Sequence, residues 1–212
     1  GYGRGQLYPG SDVDLLILVP DDEHTACDAA TAPRLEQLVG LLWDIGLDIG
    51  HSARSVEQCL AEAAGDITIR TALLEARFLC GSRALCARFY AEFRQALDPA
   101  AFLKAKRLEQ EERYAKHNDT PYALEPNCKE HPGGLRDLQT LLWVGRAATL
   151  ADGWRRLAES GTITATEARE LARAENFVRR VRIALHYLTR RREDRLLFDH
   201  QEALARGLGI AA

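Results

Sequence analysis

The pattern of apolar and polar residues changes after the first third of the chain. Residues 13–19, V-D-L-L-I-L-V, form a short β-branched and leucine-rich run that ends at Pro20, which is typical of a buried strand. Residues 33–43 carry leucines and a valine at helical spacing, and Pro33 suits a first helical turn. Residues 44–53 alternate and then break at glycine, which predicts a second strand.

From residue 55 onward the pattern is helical. Capping boxes predict helix starts at Ser55 and Thr164, the second opening a basic helix that extends to about Arg192. Apolar residues also recur at helical spacing in residues 67–80, 84–97, 101–117 and 134–150. The aromatic residues on these apolar faces are expected in the core: Trp43, Trp143, Trp154, Phe177 and Tyr187. The fold class predicted is α+β, with a small sheet unit over residues 1–65 and a helical domain over residues 66–212.

Composition is that of a soluble globular protein. The 212 residues are 46% hydrophobic and 28% charged, with a formal charge of −3, which gives no reason to expect a polyanion-binding surface. The arginine-rich stretch 179–195 is interrupted by acids and is interpreted as a solvated, partly salt-bridged helix rather than an RNA contact. No apolar run is long enough to cross a membrane. The five cysteines form no C-x-x-C pair, which favours a reducing cytoplasm and argues against a zinc site.

The most informative segment is residues 1–14, which read G-Y-G-R-G-Q-L-Y-P-G-S-D-V-D. On a strand, residues i and i+2 point to the same side, so Asp12 and Asp14 project as a pair about 6–7 Å apart. Like charges this close favour a cation between them, and Mg²⁺ typically combines one or two carboxylates with phosphate oxygens. The preceding glycines permit backbone N–H groups to approach a phosphate, and Arg4 adds a positive charge. Asp-x-Asp alone is common in solvated turns, so the prediction depends on the apolar strand and the glycines that accompany it.

A site for two metal ions needs a third acid. The predicted second strand offers Asp44 and Asp48 on one face, each between hydrophobic residues. The pattern does not distinguish between them, so both stay candidates. His51 and His131 are isolated histidines, and such residues are more often surface or core residues than ligands.

Polar groups also concentrate at a later predicted helix start, residues 127–137. Because helix N-termini favour anions, Lys129 and Arg136 are candidates for binding the phosphates or base of a nucleotide. The alternative is structural, with residues 132–134 forming a tight turn and Asp137 matching the helix dipole.

The motif G-Y-G-R-G-x-L-x-P-x-S-D-x-D resembles the signature of the polymerase-β-like nucleotidyltransferases, in the version found in bacterial PII uridylyltransferases. The resemblance covers essentially the whole chain. It continues in W-D-I-G-L-D-I-G-H-S (43–52), I-R-T-A-L-L-E-A-R-F-L-C-G (69–81), Y-A-L-E-P-N-C-K-E-H-P-G-G-L-R-D-L-Q-T-L-L-W-V (122–144) and R-E-D-R-L-L-F-D-H-Q (192–201).

This resemblance implies a cytoplasmic enzyme of nitrogen regulation. It would transfer UMP from UTP to a tyrosine of the signal protein PII with Mg²⁺, releasing pyrophosphate, with no part for a membrane or a nucleic acid. By position, Asp12 and Asp14 would hold Mg²⁺, and Asp44 or Asp48 would be the third acid. By position, Gly1 and Ser11 would lie along the triphosphate, and the other candidate contacts with the nucleotide are Gly3, Arg4, Lys129 and Arg136.

The chain departs from the family pattern at both ends. The family motif begins with a strand and a glycine before Gly1, and the family enzyme continues into a His-Asp hydrolase domain and ACT domains. We therefore expect a truncated chain with impaired stability or activity, and no UMP-removing or glutamine-sensing activity from these residues. The alternatives are a glutamine synthetase adenylyltransferase-like enzyme, an RNA-tailing enzyme, or a catalytically silent partner-binding module. The intact pair Asp12 and Asp14 argues against the silent module.

Overall fold

The chain forms two compact units, Gly1–Leu97 and Asp98–Ala212. They are seen in a computed structural model that describes residues 2–20, 32–117, 120–149 and 152–210. The first unit combines a parallel sheet with helices, and the second is helical in its described residues, with one isolated β-bridge. The predicted α+β class is therefore confirmed. The predicted limit between a transferase core and a helical domain, after residue 65, is a functional division and stays a prediction.

The sheet of the first unit is built from two parallel strands joined through a helix. Its apolar face is buried because Val13 and Ile49 are register partners and pack against Val39 of the connecting helix. The opposite face is solvent-exposed at Asp14 and Gly50, which are also register partners. The elements are β1 (Val13–Leu18), α1 (Ala32–Asp44) and β2 (Ile49–Arg54).

The second strand begins later than predicted, and the reason is a helix end. Asp44 is the last residue of α1. Gly46 then takes a positive φ of 83° and donates its N–H to the Trp43 carbonyl at 2.8 Å, a conformation that glycine adopts without strain. Asp48 comes immediately before β2. The prediction that Asp44 and Asp48 lie on one strand face is therefore wrong.

The remaining helices of the first unit are α2 (Val56–Gly65), α3 (Ile67–Leu74) and α4 (Arg83–Ala96). The predicted capping box is confirmed, since the Ser55 Oγ accepts from the Gln58 N–H and the Gln58 Oε1 accepts from the Ser55 N–H. Helix α3 ends at Leu74, well before the predicted end at Cys80. Beyond it, the Tyr90 hydroxyl of α4 donates to the Ala76 carbonyl at 2.9 Å. This carbonyl is therefore bonded to a side chain rather than to an N–H of a further helical turn.

The second unit contains α5 (Pro99–Lys116), α6 (Leu135–Thr149), α7 (Trp154–Glu159), α8 (Ala165–Thr189) and α9 (Phe198–Gly207). Its core includes Leu135, Leu138, Trp154, Leu157 and Ala168. The capping box at Thr164 is confirmed. The basic helix ends at Thr189 rather than Arg192, because Arg190 takes a left-handed conformation with a φ of 54°.

The prediction of aromatic core residues is correct for two of the five. Trp143 and Trp154 are buried. Trp43, Phe177 and Tyr187 each expose more than half of their surface, since α1 and α8 bury only one side. Among the helices of the described ranges, none is both long and apolar enough to cross a membrane.

Candidate functional site

The glycine loop, residues 2–11, is fixed by contacts with the end of α3. Its first turn is a short 3₁₀ helix over Tyr2–Arg4. The Arg4 guanidinium forms a largely buried ion pair with the Glu75 carboxylate. A Cβ at Gly3 would lie 2.1 Å from the Glu75 carbonyl oxygen, so only glycine permits this approach. Gly1, a predicted phosphate contact, lies outside the described residues.

Two of the residues predicted to bind phosphate, Arg4 and Ser11, also stabilise the structure of the loop. Arg4 is already compensated by Glu75, a residue that sequence reasoning did not single out. Ser11 closes a turn by donating its N–H to the Tyr8 carbonyl at 3.0 Å, directly after Gly10 with its φ of 68°. The loop thus delivers the chain to β1 in a defined conformation, and phosphate binding by Gly3, Arg4 and Ser11 stays a prediction.

The Asp12 and Asp14 carboxylates lie on the exposed side of the sheet. Asp14 is within β1, Asp12 directly precedes it, and both are solvent-exposed while Val13 between them is buried. A Cβ at Gly50 would be 2.8 Å from the Asp14 Oδ1, so the glycine leaves the space that this carboxylate occupies. Sequence reasoning missed Gly50, although its offset of two residues from Asp48 places it on the predicted face.

The structure distinguishes the two candidates for a third acid by position. The Val13 N–H donates to the Asp48 carbonyl at 2.9 Å, and the register of the strands sets Asp48 beside Asp12. Asp44 lies on the last turn of α1 instead. Both side chains are exposed. Strand geometry therefore favours Asp48 over Asp44, and its role stays a prediction.

The donor set suits a hard cation that shares its ligands with a substrate. Carboxylate oxygens are the ligands that Mg²⁺ prefers, and it usually retains water or phosphate oxygens beside one or two carboxylates. Within the described ranges, no group of three or more His, Cys, Asp and Glu side chains is arranged to hold a metal. The Asp12 and Asp14 pair, with the space over Gly50, therefore fits an ion completed by substrate oxygens.

In the second unit, Asp137 joins α6 to α5 and to the preceding turn. Its Oδ1 accepts from Gln110 Nε2 at 3.0 Å and Arg113 Nη2 at 2.5 Å, and its Oδ2 accepts from the Tyr114 hydroxyl and the Gly133 N–H, both at 2.6 Å. Burial alone raises the pKa of Asp137, but these hydrogen bonds outweigh it and lower the pKa. Desolvation, with Asp137 beside it, raises the pKa of Tyr114 to about 12.

Lys129 and Arg136, the predicted nucleotide contacts of this segment, share one carboxylate. Arg136 Nη2 lies 3.1 Å and Lys129 Nζ 3.5 Å from Glu130 Oε1. Burial opposes ionisation of Glu130, but the nearby cations lower its pKa, Arg136 most strongly. Arg136 also donates to Gln139 at 3.1 Å. The structural interpretation of this segment is thus supported, and nucleotide binding by the two cations stays a prediction.

Two of the sequence blocks that carry the family resemblance, 122–144 and 192–201, meet in space. Asn127 and Arg195 form an antiparallel bridge, and the Cys128 N–H donates to the Asp194 carbonyl at 2.8 Å. The Asp194 carboxylate in turn accepts from Arg182 at 2.6 Å and lies 3.1 Å from His186 Nε2, both buried on α8. The two segments, distant along the chain, are therefore joined by backbone hydrogen bonds.

A comparison with known protein families decides the relationship. The family model described as GlnD PII-uridylyltransferase matches residues 101–212, which is more than half of the chain. The chain belongs to this family. The matched segment begins three residues after the start of the second compact unit, Asp98–Ala212. It includes both sequence blocks that meet in space, 122–144 and 192–201.

Individual PII-uridylyltransferase relatives extend the match to the first unit. The chain is 60% identical over 212 residues to the bifunctional uridylyltransferase/uridylyl-removing enzyme of Aromatoleum aromaticum. It is 57% identical to that of Bordetella parapertussis over 212 residues and 53% identical to that of Cupriavidus metallidurans over 209 residues. The three alignments cover 100%, 100% and 99% of this chain but 24% of each relative. No solved structure matches the chain.

Proposed function

We propose that the chain carries the uridylyltransferase site and transfers UMP from UTP to a tyrosine of PII. The observation that carries this proposal is the exposed pair Asp12 and Asp14 at the start of a strand whose other face is buried, with Gly50 leaving room for the Asp14 carboxylate. The transferred group follows from the relatives, which are uridylyltransferase/uridylyl-removing enzymes. The chain spans 24% of the length of these relatives.

In the proposed reaction the tyrosine oxygen forms a bond to the α-phosphorus of UTP. The bond from that phosphorus to the β-phosphate oxygen breaks, and pyrophosphate leaves with the electron pair. The phenol loses its proton, and we assign its removal to the carboxylate of Asp48, beside the strand start, or alternatively to that of Asp44 at the end of α1.

We further propose that Asp12 and Asp14 hold Mg²⁺, with Asp48 or Asp44 as the third carboxylate. The ion would neutralise charge that develops on the phosphate oxygens. Gly3, Arg4 and Ser11 would lie along the triphosphate, with Gly1 beyond the described residues. Because Glu75 holds Arg4, the guanidinium is already positioned before the nucleotide arrives.

Lys129 and Arg136 are proposed as further contacts with the nucleotide. Glu130 holds both, so a bound phosphate would compete with a carboxylate for them. If they bind nucleotide, Lys129→Ala and Arg136→Ala raise the KM for UTP. A loss of stability with an unchanged KM would assign them to the structure of the segment alone.

The proposed setting is the cytoplasm, where UTP is available.

The test follows label from nucleotide to PII. Residues 1–212 are placed in the full-length Aromatoleum aromaticum enzyme in exchange for the matching segment, so that activity does not depend on the isolated chain. With Mg²⁺ and PII, we expect label from UTP and none from ATP. Label from ATP would indicate an adenylyltransferase. Transfer that requires RNA would indicate an RNA-tailing enzyme. No label from either nucleotide would indicate a silent module.

Substitutions then test the site. Asp12→Asn and Asp14→Asn are expected to abolish transfer while the fold persists, because both side chains are exposed. Gly50→Ala is expected to weaken Mg²⁺ binding, since the new Cβ would displace the Asp14 Oδ1. The matched control is Gly40→Ala on α1, where an added Cβ meets no atom within 4 Å. Unchanged transfer by the Asp12 and Asp14 variants would refute the metal site.

A further inference from the structure

A cavity of about 350 Å³ lies in the second unit, and neither Lys129 nor Arg136 is among the residues that line it. It is bounded by residues 126–128 and 131–134, by α8 and by α9. Its walls are mainly apolar, with Val178 and Val181 from α8 and Leu204 and Leu208 from α9. This volume is within the range of pockets that bind small molecules.

His131 is the exception in this apolar lining. Its side chain lines the cavity, only 8% of the residue is exposed, and its Nδ1 is buried with no hydrogen-bond partner among the described residues. The ring contacts the His117 ring with centroids 4.3 Å apart and the ring planes tilted by 55°, and no hydrogen bond joins the two rings. A buried polar atom without a partner costs free energy, so it indicates that a partner is supplied from elsewhere.

The other polar side chains of the cavity are already engaged by the backbone. Asn127 Oδ1 accepts from the Lys129 and Glu130 N–H groups at 2.9 and 2.8 Å. Gln201 Nε2 donates to the carbonyls of Leu124 and Leu196 at 2.9 and 3.1 Å. Among the described residues that line the cavity, His131 Nδ1 is the side-chain atom that is both buried and without a hydrogen bond.

We infer that this cavity binds a small molecule with an apolar body and one hydroxyl or amine group that hydrogen-bonds to His131. A neutral ligand is favoured because no charged side chain is among the described residues that line the cavity. Burial, with His117 and Arg195 nearby, lowers the pKa of His131, so the imidazole is neutral near pH 7 and has one nitrogen free to accept. The inference does not depend on the proposed transferase reaction, and its test measures binding alone.

The test compares two probes of similar shape, phenol and toluene, on the whole chain. Affinity is measured by titration calorimetry in the wild type and in every variant, and the ring-nitrogen NMR signals of His131 report the polar contact in the wild type. Phenol is expected to bind saturably and to shift them. In His131→Leu, phenol affinity is expected to fall about fivefold, the equivalent of one net hydrogen bond, while toluene affinity does not fall.

A second pair of variants keeps the test informative if His131→Leu fails to fold. Ala205 lines the cavity, and Ala203 is an exposed position on the same helix. Ala205→Phe is expected to abolish binding of both probes, and Ala203→Phe to leave it unchanged. Absence of saturable binding would overturn the inference. Equal loss of phenol and toluene affinity in His131→Leu would overturn the assignment of His131 as the polar contact.

Discussion

The substitution Asp137→Asn tests whether one carboxylate holds the second unit together. The change keeps the shape of the side chain but removes its charge and replaces one oxygen by an NH₂ group. Two donors reach each oxygen, Gln110 and Arg113 on one and Tyr114 and Gly133 on the other. With the NH₂ group at the Oδ1 position, both Gln110 and Arg113 face a donor; at the Oδ2 position the Gly133 N–H does, while the Tyr114 hydroxyl can turn to accept.

The expected loss in the free energy of unfolding is about 3 kcal/mol, the lower end for breaking a buried ion pair. The lower end applies because the side chains of Asp137 and Arg113 are 14% and 10% exposed rather than fully enclosed. Leaving single buried donors unsatisfied costs about 1–3 kcal/mol by itself, which agrees with this value. Against a typical stability of about 5–15 kcal/mol, the effect is large.

Urea unfolding followed by tryptophan fluorescence measures this loss. The chain has three tryptophans, and replacing Trp43 by Phe leaves Trp143 and Trp154 to report on the second unit. The matched control is Asp152→Asn, where the carboxylate is 76% exposed and lies 3.6 Å from Arg146. That exposed pair is expected to contribute less than about 1 kcal/mol.

Acidification gives a second, independent comparison. The pKa of Asp137 is lowered in the folded state, so its contribution to stability is present above the unfolded-state pKa of about 3.9 and is lost as the pH falls through the folded-state value. The difference between wild type and Asp137→Asn should therefore shrink in strong acid. A loss no greater than that of Asp152→Asn, or a difference independent of pH, would refute the reasoning.

Three further predictions concern individual residues. Gly3→Ala should lower the free energy of unfolding of the first unit by about 2 kcal/mol in urea unfolding, because its Cβ would overlap the Glu75 carbonyl; an unchanged midpoint would contradict the close approach. Tyr114, with a pKa of about 12, should resist ionisation in an ultraviolet titration, and comparison with Tyr114→Phe identifies its signal. Its contribution to stability is present below a pH of about 10 and should be lost as the pH rises through the folded-state pKa. Maleimide should label exposed Cys80 before unfolding but leave Cys128 unmodified, since burial raises the pKa of its thiol to about 12; mass spectrometry of the labelled peptides checks this.

Helix starts could be predicted from the sequence because their signals are local. The capping boxes at Ser55 and Thr164 place donor and acceptor three residues apart, and both form as predicted. The helix ends were harder to predict. Gly46 follows the end of α1 within a segment that alternates like a strand, and beyond the end of α3 the Ala76 carbonyl is bonded by Tyr90 of another helix.

The candidate site divides in the same way. Asp12 and Asp14 were predictable because the alternation of a strand fixes their common side. Their surroundings were not, since Gly50 comes from another strand and Glu75, the partner of Arg4, is 71 residues away along the chain. Asp137 was predicted as a match for the helix dipole, but its partners on α5 depend on how two helices pack.

The bridge between Asn127 and Arg195 has a consequence for the order of events during protein synthesis. The ribosome releases α8 before residues 193–201, so the buried Arg182 and His186 are exposed to the cell without the Asp194 carboxylate. Until that residue emerges, the segment around Cys128 also lacks its backbone partner. The second unit therefore cannot complete this connection until residue 194 has emerged, and a ribosome that stalls before that point leaves Arg182 and His186 without it.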